Sequence, residues 1–452
     1  MSTLRQASVQ PKAAPTAAPW TLLGGTGLVL LGVALLGLPF VVTVLAIAVQ
    51  LVYVAYFLRH LSFAMSALRS APADLAAPFM TTSYLPPVTV LVACKNESSV
   101  VERLVESLVA LDYPEELRQI IVVDDGSTDG MSERLDALAG SMPITAMHRP
   151  PDAGGGKSGA LNDGFAIAAG EIVVVFDADH RPHADVIRRL VRHFEDPSVG
   201  AAQGRCEVSN TGDSPLALLV GIDYLAGYLV NEYGRQAMFN LPAYGGANCA
   251  VRAETLRAIG GWNAASVTED TDLTMRILLS GQLVRFDVTA VDEEEGVTTV
   301  SRYWRQRYRW ARGHQQVWRD YRRGLWRSPS LTFGQKVEAT MFLLAFHLPV
   351  LSALGLVLAF TWLGGLATPP FSVDLFVLWM LLFLGPLVEL GGGLLIKQAD
   401  RSWARALFYF LPLFFVSIAL CTKAWFDGIL GREYSWVKTR RSADTASPLA
   451  SS

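Results

Sequence analysis

Residues 171–180 read Glu-Ile-Val-Val-Val-Phe-Asp-Ala-Asp-His (EIVVVFDADH). Ile172 to Phe176 is an unbroken apolar run with three valines, so it has no polar face. A strand of that kind is buried on both sides, as in a parallel sheet covered by helices. The chain turns polar at once afterwards, with Asp177 and Asp179 two residues apart. In such sheets ligands sit beyond the carboxyl ends of the strands. Two hard oxygen donors at that place suit Mg2+ or Mn2+ bridging a diphosphate. The plain alternative is a solvated acidic loop.

Upstream, Val88–Cys94 (VTVLVAC) and Gln119–Val123 (QIIVV) repeat the buried-strand pattern. Between them Ser98–Leu111 carries Val100, Leu104, Leu108 and Leu111 at helical spacing. Strands separated by helices predict βαβ units and a mostly parallel sheet. The second strand runs into Asp124-Asp125-Gly126-Ser127-Thr128-Asp129. Carboxylates there can accept hydrogen bonds from a ribose or a base N–H, whereas an Asp-Gly turn is the simpler reading.

Two further groups carry chemistry. In Thr268-Glu269-Asp270, with Asp272 close by, a carboxylate stands ready to take a proton from an attacking hydroxyl. The same residues fit a helix N-terminus with Thr268 as cap and acids against the helix dipole, and both readings are compatible. In Gln306-Arg307-Tyr308-Arg309-Trp310 a helix places Gln306, Arg309 and Trp310 on one face. Arg309 suits a diphosphate, and Trp310 suits a sugar ring. The stretch Arg302–Arg327 holds nine Arg and seven Trp or Tyr, which also describes a helix lying on a membrane surface. Gly154-Gly155-Gly156-Lys157-Ser158 imitates a phosphate loop, but Pro151 stands where that pattern needs glycine. Lys157 remains a candidate point charge for a phosphate.

The whole chain has 452 residues, 51% hydrophobic and 17% charged, which describes a mixed soluble and membrane protein. A net charge of −3 gives no global field for nucleic acid. Cys94, Cys206, Cys249 and Cys421 are scattered without metal-ligand spacing, which fits a reducing compartment. Trp20–Leu58 contains no charged residue. As helix it would be roughly 58 Å long, against a hydrocarbon core of about 30 Å, so it reads as two spans turning near Gly37–Pro39. Arg5 and Lys12 before it, and Arg59, His60 and Arg69 after it, place both flanks in the cytoplasm. Apolar segments follow at Thr340–Leu363, Leu375–Ile396 and Ala406–Ala424, the second carrying Glu389. Glu389 either lines a channel or pairs with a neighbouring helix. Five spans would put the C-terminus outside, whereas Lys438, Arg440 and Arg441 argue for inside, so two or three of the later segments cross. The expected division is a disordered tail (1–19), two transmembrane helices (20–58), a catalytic α/β domain (59–300), amphipathic interface helices (301–338), the later spans (339–426) and a C-terminal tail (427–452).

Taken together, DDGSTD (124–129), FDADH (176–180), TED (268–270) and QRYRW (306–310) resemble the membrane-bound synthases of glycosyltransferase family 2. That group includes cellulose, chitin, hyaluronan and poly-N-acetylglucosamine synthases. Its spacing of 35 residues between the TED aspartate and QxxRW is met by residues 271–305. The resemblance covers roughly Pro87–Arg312 and implies a GT-A fold, Rossmann-like, beside a transmembrane helical region. It implies that Asp124 and Asp125 hold the uridine of a UDP-sugar, and that Asp179, helped by Asp177, binds Mg2+ or Mn2+. Asp270, beside Glu269, becomes the general base. Arg309 and Lys157 contact the diphosphate. Gln306, Trp310, His180 and the loop around Gly246 shape the donor and acceptor pocket. The implied reaction is inverting transfer of glucose or N-acetylglucosamine to a growing polysaccharide at the bacterial inner membrane, with room for a partner subunit. The same motifs occur in glycolipid synthases that add one glucose to diacylglycerol, which is the alternative. The gating loop of cellulose synthase has only a remote counterpart in Trp436–Arg441.

Overall fold

The computed structural model describes residues 20–79, 82–365 and 375–432. The tail expected at 1–19, residues 433–452 of that expected at 427–452, and the Trp436–Arg441 stretch lie outside the described residues. Helices α1 (Trp20–Leu36) and α2 (Leu38–Ala76) come first. Gly37 breaks them with φ +83, a backbone state that glycine adopts without strain. Pro39 stands in the first turn of α2, where its missing N–H costs nothing. Rather than stopping where the charge-free run ends, α2 continues to Ala76 because Phe63, Ala64, Ala67 and Ala71 give it a buried stripe at helical spacing.

The α/β region follows: β1 (Val88–Cys94), α3 (Val101–Val109), β2 (Arg118–Asp124), α4 (Met131–Ala139), β3 (Thr145–His148), α5 (Gly156–Ala166), β4 (Ile172–Asp177), β5 (Arg181–Pro182), α6 (Val186–Val191), β6 (Val199–Val208), α7 (Pro215–Leu225), α8 (Tyr233–Phe239), β7 (Cys249–Arg252), α9 (Ala253–Ala258), α10 (Glu269–Leu279) and β8 (Leu283–Glu294). The strands form one sheet in the order β3-β2-β1-β4-β7-β6-β8-β5. From β3 to β4 every pairing is parallel. β7 runs against both β4 and β6, while β6 and β8 are parallel. Both faces are covered, as the continuous apolar runs require. Val90, Val92 and Cys94 of β1 pack with Leu104 and Leu108 of α3, and Leu91 packs on the other side with Leu161 of α5.

This topology places the site. β1 lies between β2 and β4, so the chain reverses direction across the sheet there, and ligands bind at the carboxyl ends around such a switch. The register sets Cys94 beside Asp124 and Ala93 beside Asp177. All the strand-borne acids therefore emerge at one edge.

The chain continues through α11 (Val300–Arg327), α12 (Phe333–Leu344), α13 (Leu348–Leu363), α14 (Leu375–Lys397), α15 (Arg401–Ala406) and α16 (Phe410–Ile429). A capping box between Thr332 and Gln335 starts α12. Among the described residues, Leu38–Ala76, Phe333–Leu363 and Arg401–Ile429 are long and apolar enough to cross a membrane. α14 packs along α2, and α16 along α11 and α13. Glu389 takes the pairing expected of it. It pairs with His60 and accepts from Asn231 Nδ2 at 2.8 Å, and it also lines the central cavity. Arg59 next to it forks onto Glu338 at 2.9 and 2.7 Å, and Arg235 joins at 3.1 Å. Each buried carboxylate thus meets a cation, without which burial would be costly.

Candidate active site

Three glycines with positive φ, Gly154, Gly155 and Gly156 (+69, +73 and +51), wind the loop into α5. Side chains are strained in that state, so glycine is required there. The loop delivers Lys157 into the acidic edge of the sheet. Its Nζ lies 2.6 Å from Asp177 Oδ1 and 3.3 Å from Glu269 Oε1, and it donates to Gly246 O at 3.2 Å. Burial pushes the Asp177 carboxyl up, but Lys157, then His180 and Arg309, outweigh it and hold it below the usual carboxylate range. Asp177 is therefore an anion with a cation already beside it. Together with Asp179 on the same wall it fits a hard divalent ion: two carboxylates at a strand end, both lining one cavity.

Asp270 opens α10 beside Glu269. Its Oδ1 accepts from Thr271 N at 2.5 Å and Thr271 Oγ1 at 3.1 Å. Burial and the neighbouring Glu269 raise its carboxyl, against the Thr271 N–H, Arg309 and Lys157, to about 6. A carboxylate tuned upward in this way is a better general base near neutral pH than an ordinary one. Gly246, at φ +82, keeps the approach clear, since a Cβ there would stand 3.1 Å from Asp270 Cβ. Thr268 occupies the N-cap position, but its side chain makes no capping bond, contrary to the sequence reading. Gly313 of α11 presses against it instead.

The α11 helix presents Gln306, Arg309 and Trp310 to the cavity, as their spacing requires. Gln306 Oε1 is buried without a protein partner. Arg307 also lines the cavity, paired there with Asp223 Oδ2 at 2.5 Å and with its guanidinium 4.3 Å from the Trp310 ring centroid. Several residues that sequence reasoning passed over hold this helix in register with the Asp270 turn. Gln316 accepts from Val267 N at 3.1 Å and donates to Ala265 O at 2.9 Å. Tyr321 donates to Asp272 at 2.8 Å, and Arg276 clamps Asp272 at 2.6 Å. No local pattern marks Gln316 and Tyr321, because their partners lie 49 or more residues away. Gly313 allows the closest approach: a Cβ there would lie 2.2 Å from Thr268 Cγ2. Gly313→Val is therefore expected to cut turnover by at least about tenfold through displacement of α11, with about 1–3 kcal/mol of destabilisation, read by comparing kcat with a thermal melt.

The two aspartates after β2 divide their work. Asp125 lines the cavity, paired with Arg149, with Lys95 Nζ at 3.6 Å. Asp124 is only 1% exposed and is not among the residues that line the cavity. Its carboxylate accepts from Ser127 N at 3.0 Å, Ser132 Oγ at 2.5 Å and His148 Nδ1 at 3.2 Å. It ties down the turn that aims Asp125, which differs from the direct nucleotide contact expected. His180 lines the cavity but turns both ring nitrogens to carboxylates, Asp292 and Glu294.

One cavity of about 890 Å³ joins these groups. Asp125, Lys157, Asp177, Asp179, His180, Glu269, Asp270, Gln306, Arg309 and Trp310 all line it, and Gly246 flanks it between Gly245 and Ala247. From there it continues to Tyr56, Arg59 and His60 of α2, to Leu348 of α13 and to Glu389 of α14. The arrangement can hold an anionic ligand beside a tuned base, with a route toward the apolar helices.

Comparison with known proteins agrees with this geometry. The profile described as "Glycosyltransferase like family 2" matches residues 86–313. A β-monoglucosyldiacylglycerol synthase of Synechocystis sp. is 37% identical over 282 residues, covering 62% of this chain and 58% of that protein. A poly-β-1,6-N-acetyl-D-glucosamine synthase of Staphylococcus aureus is 26% identical over 270 residues, covering 59% of this chain and 62% of that protein. The chain thus spans less than two thirds of the length of either relative. Among solved structures, a mannosyltransferase from Pyrobaculum calidifontis, in complex with GDP-Man and Mn2+, superposes with a TM-score of 0.56 at 21% identity, covering 85% of this chain and all of that one. The fold is accordingly of the GT-A type, an α/β sheet domain joined to long apolar helices.

Proposed function

The chain belongs to glycosyltransferase-like family 2, and on that premise we propose that it is an inverting β-hexosyltransferase moving glucose or N-acetylglucosamine from a UDP-sugar to a lipid hydroxyl at the cytoplasmic edge of the membrane. The observation that carries this reading is the continuity of one cavity from Asp177, Asp270 and Arg309 to Tyr56, Arg59 and Glu389 on apolar helices. A water-soluble donor and a membrane-borne acceptor meet in such a space. The greater identity to a diacylglycerol glucosyltransferase than to a polymer synthase supports a lipid acceptor.

In the reaction the acceptor oxygen attacks C1 of the sugar from the face opposite the diphosphate. The new O–C1 bond forms as the C1–O bond to the β-phosphate breaks, and UDP leaves. Asp270 takes the acceptor proton. Lys157 and Arg309 place positive charge against the departing diphosphate. Asp125 holds the nucleoside, and Trp310 offers an apolar face to a sugar ring. Asp177 and Asp179 would hold Mg2+ or Mn2+, which when bound neutralises charge gathering on the leaving group.

Elongation of a glycan is the second reading, favoured by the relationship to the poly-N-acetylglucosamine synthase. The test supplies purified enzyme in bilayer nanodiscs with radiolabelled UDP-glucose or UDP-N-acetylglucosamine and Mg2+. Label that partitions into chloroform as one product is expected when diacylglycerol is present. A long water-soluble chain would replace the lipid reading with the polymer one, and no transfer from either donor would overturn both. Chelation of the divalent ion is expected to suppress transfer by at least about a hundredfold, restored by Mg2+ or Mn2+.

A further inference from the structure

Next to the acidic loop lies a group of side chains that the transfer chemistry does not use. His180, 3% exposed, sits on the loop after β4. Its Nε2 is 3.0 Å from Glu294 Oε2 at the end of β8, and the thiol of Cys206, on β6, adjoins both. The three ligand atoms lie within 4.8 Å of one another. His180 Nδ1 is 2.5 Å from Asp292 Oδ2, and Asp292 is fully buried with its other oxygen unpartnered by protein.

The chemistry of this set is specific. Imidazole nitrogen, thiolate sulfur and carboxylate oxygen are the ligands of zinc-class ions, not of Mg2+. A carboxylate on the far nitrogen is the usual outer partner of a metal-bound histidine, because it fixes the ring and the tautomer. Two acidic side chains share one imidazole here, so the group attracts a cation. His180, Cys206 and Glu294 also line the cavity, so an ion has a path in and an open position once bound. Tetrahedral zinc bonds of about 2.0–2.3 Å give ligand–ligand edges of about 3.5 Å, so closure takes side-chain movement of about 1 Å.

We propose that His180, Cys206 and Glu294 form a second cation site, for a thiophilic divalent ion of the zinc class, separate from the hard-ligand pair Asp177 and Asp179 and oriented by Asp292. Binding forms one metal–sulfur, one metal–nitrogen and one metal–oxygen bond. It releases to solvent the Cys206 thiol proton and the proton His180 shares with Glu294. Because His180 follows Asp179 directly, the bound ion ties the acidic loop to β6 and β8 and restrains the residues that would hold the donor's own metal. The proposal does not depend on the identity of the acceptor.

Cadmium is the probe, since its thiolate bond absorbs in the ultraviolet. Full-length protein in detergent, held in excess Mg2+ to occupy hard-oxygen sites, is titrated with Cd2+. One equivalent per chain is expected to produce a saturating thiolate band. Cys206→Ser is expected to abolish the band, and Glu294→Gln to weaken Cd2+ binding about 10- to 100-fold. Cys94→Ser and Cys249→Ser are expected to keep it, each variant being checked for an unchanged melt without metal. Absence of a saturable band in the parent protein, or its survival in Cys206→Ser, overturns the proposal and leaves His180 as a bridge between two carboxylates.

Discussion

Asp270→Asn is expected to lower kcat by about a thousandfold or more while leaving the affinity for UDP nearly unchanged. General-base assistance accounts for about 10²–10⁴ in rate, and the amide cannot supply it. In the proposed complex the nucleotide is bound by other groups, namely Asp125, Lys157 and Arg309, which the substitution leaves in place. The fold should tolerate the change. The Asp270 carboxyl is pushed up to about 6 from 3.8 by burial and Glu269, so the folded state disfavours its anion. A folded value above the unfolded one means a stabilising contribution present below about pH 4 and lost as pH rises through about 6. Asn, always neutral, keeps the melting temperature at or above the parent value at pH 7. For the parent enzyme the same shift predicts kcat falling tenfold per pH unit below about pH 6. Isothermal titration with UDP, a pH–rate profile and a thermal melt at pH 7 check these points. Loss of UDP binding in parallel with turnover would remove Asp270 from the role of base, and a flat profile between pH 5 and 7 would do the same.

Lys157→Gln should have the second-largest effect and a different signature. One ammonium serves Asp177, Glu269 and the carbonyl of Gly246, and in the proposed complex it faces the diphosphate. Its removal leaves two carboxylates with less compensation and one phosphate contact fewer. Both KM for the donor and kcat are expected to worsen, with kcat/KM down by about a hundredfold or more. The structural cost is smaller, about 1–3 kcal/mol, because Asp177 keeps 37% of its side chain exposed to water and so falls short of a fully buried pair. Lys157 also helps to hold Asp270 down, so the acidic limb of the pH–rate profile should move upward. An unchanged limb would mean that Lys157 and Asp270 do not share one electrostatic site, whatever the loss in rate.

Much of the architecture was open to reading in one dimension. Ile172–Phe176, short, rich in valine and without a polar face, reads as a strand covered on both faces, with the acids after it at a sheet edge. Gly37 and Pro39 mark a helix break because φ +83 suits glycine and a first-turn proline costs no hydrogen bond. The helical face of Gln306, Arg309 and Trp310 follows from 3.6 residues per turn. All of these depend on neighbours within a few residues, where covalent geometry sets the outcome.

Other features depended on residues far apart in the chain. Asp124 and Asp125 are adjacent and alike, yet one is a buried clamp on Ser127, Ser132 and His148 while the other faces the cavity. Their difference is one step of a pleat, and only the packed sheet decides which step faces inward. The close approach of Gly313 to Thr268, the bonds of Gln316 and Tyr321, and the meeting of His180 with Cys206 and Glu294 join segments 26 or more residues apart. Composition and spacing therefore determined which strands, turns and carboxylates exist, since those arise from local backbone and side-chain preferences. Which acid is held as an anion, which has its carboxyl raised and which is buried as an anchor was decided only in three dimensions, because burial and partnered charge are properties of the assembled core.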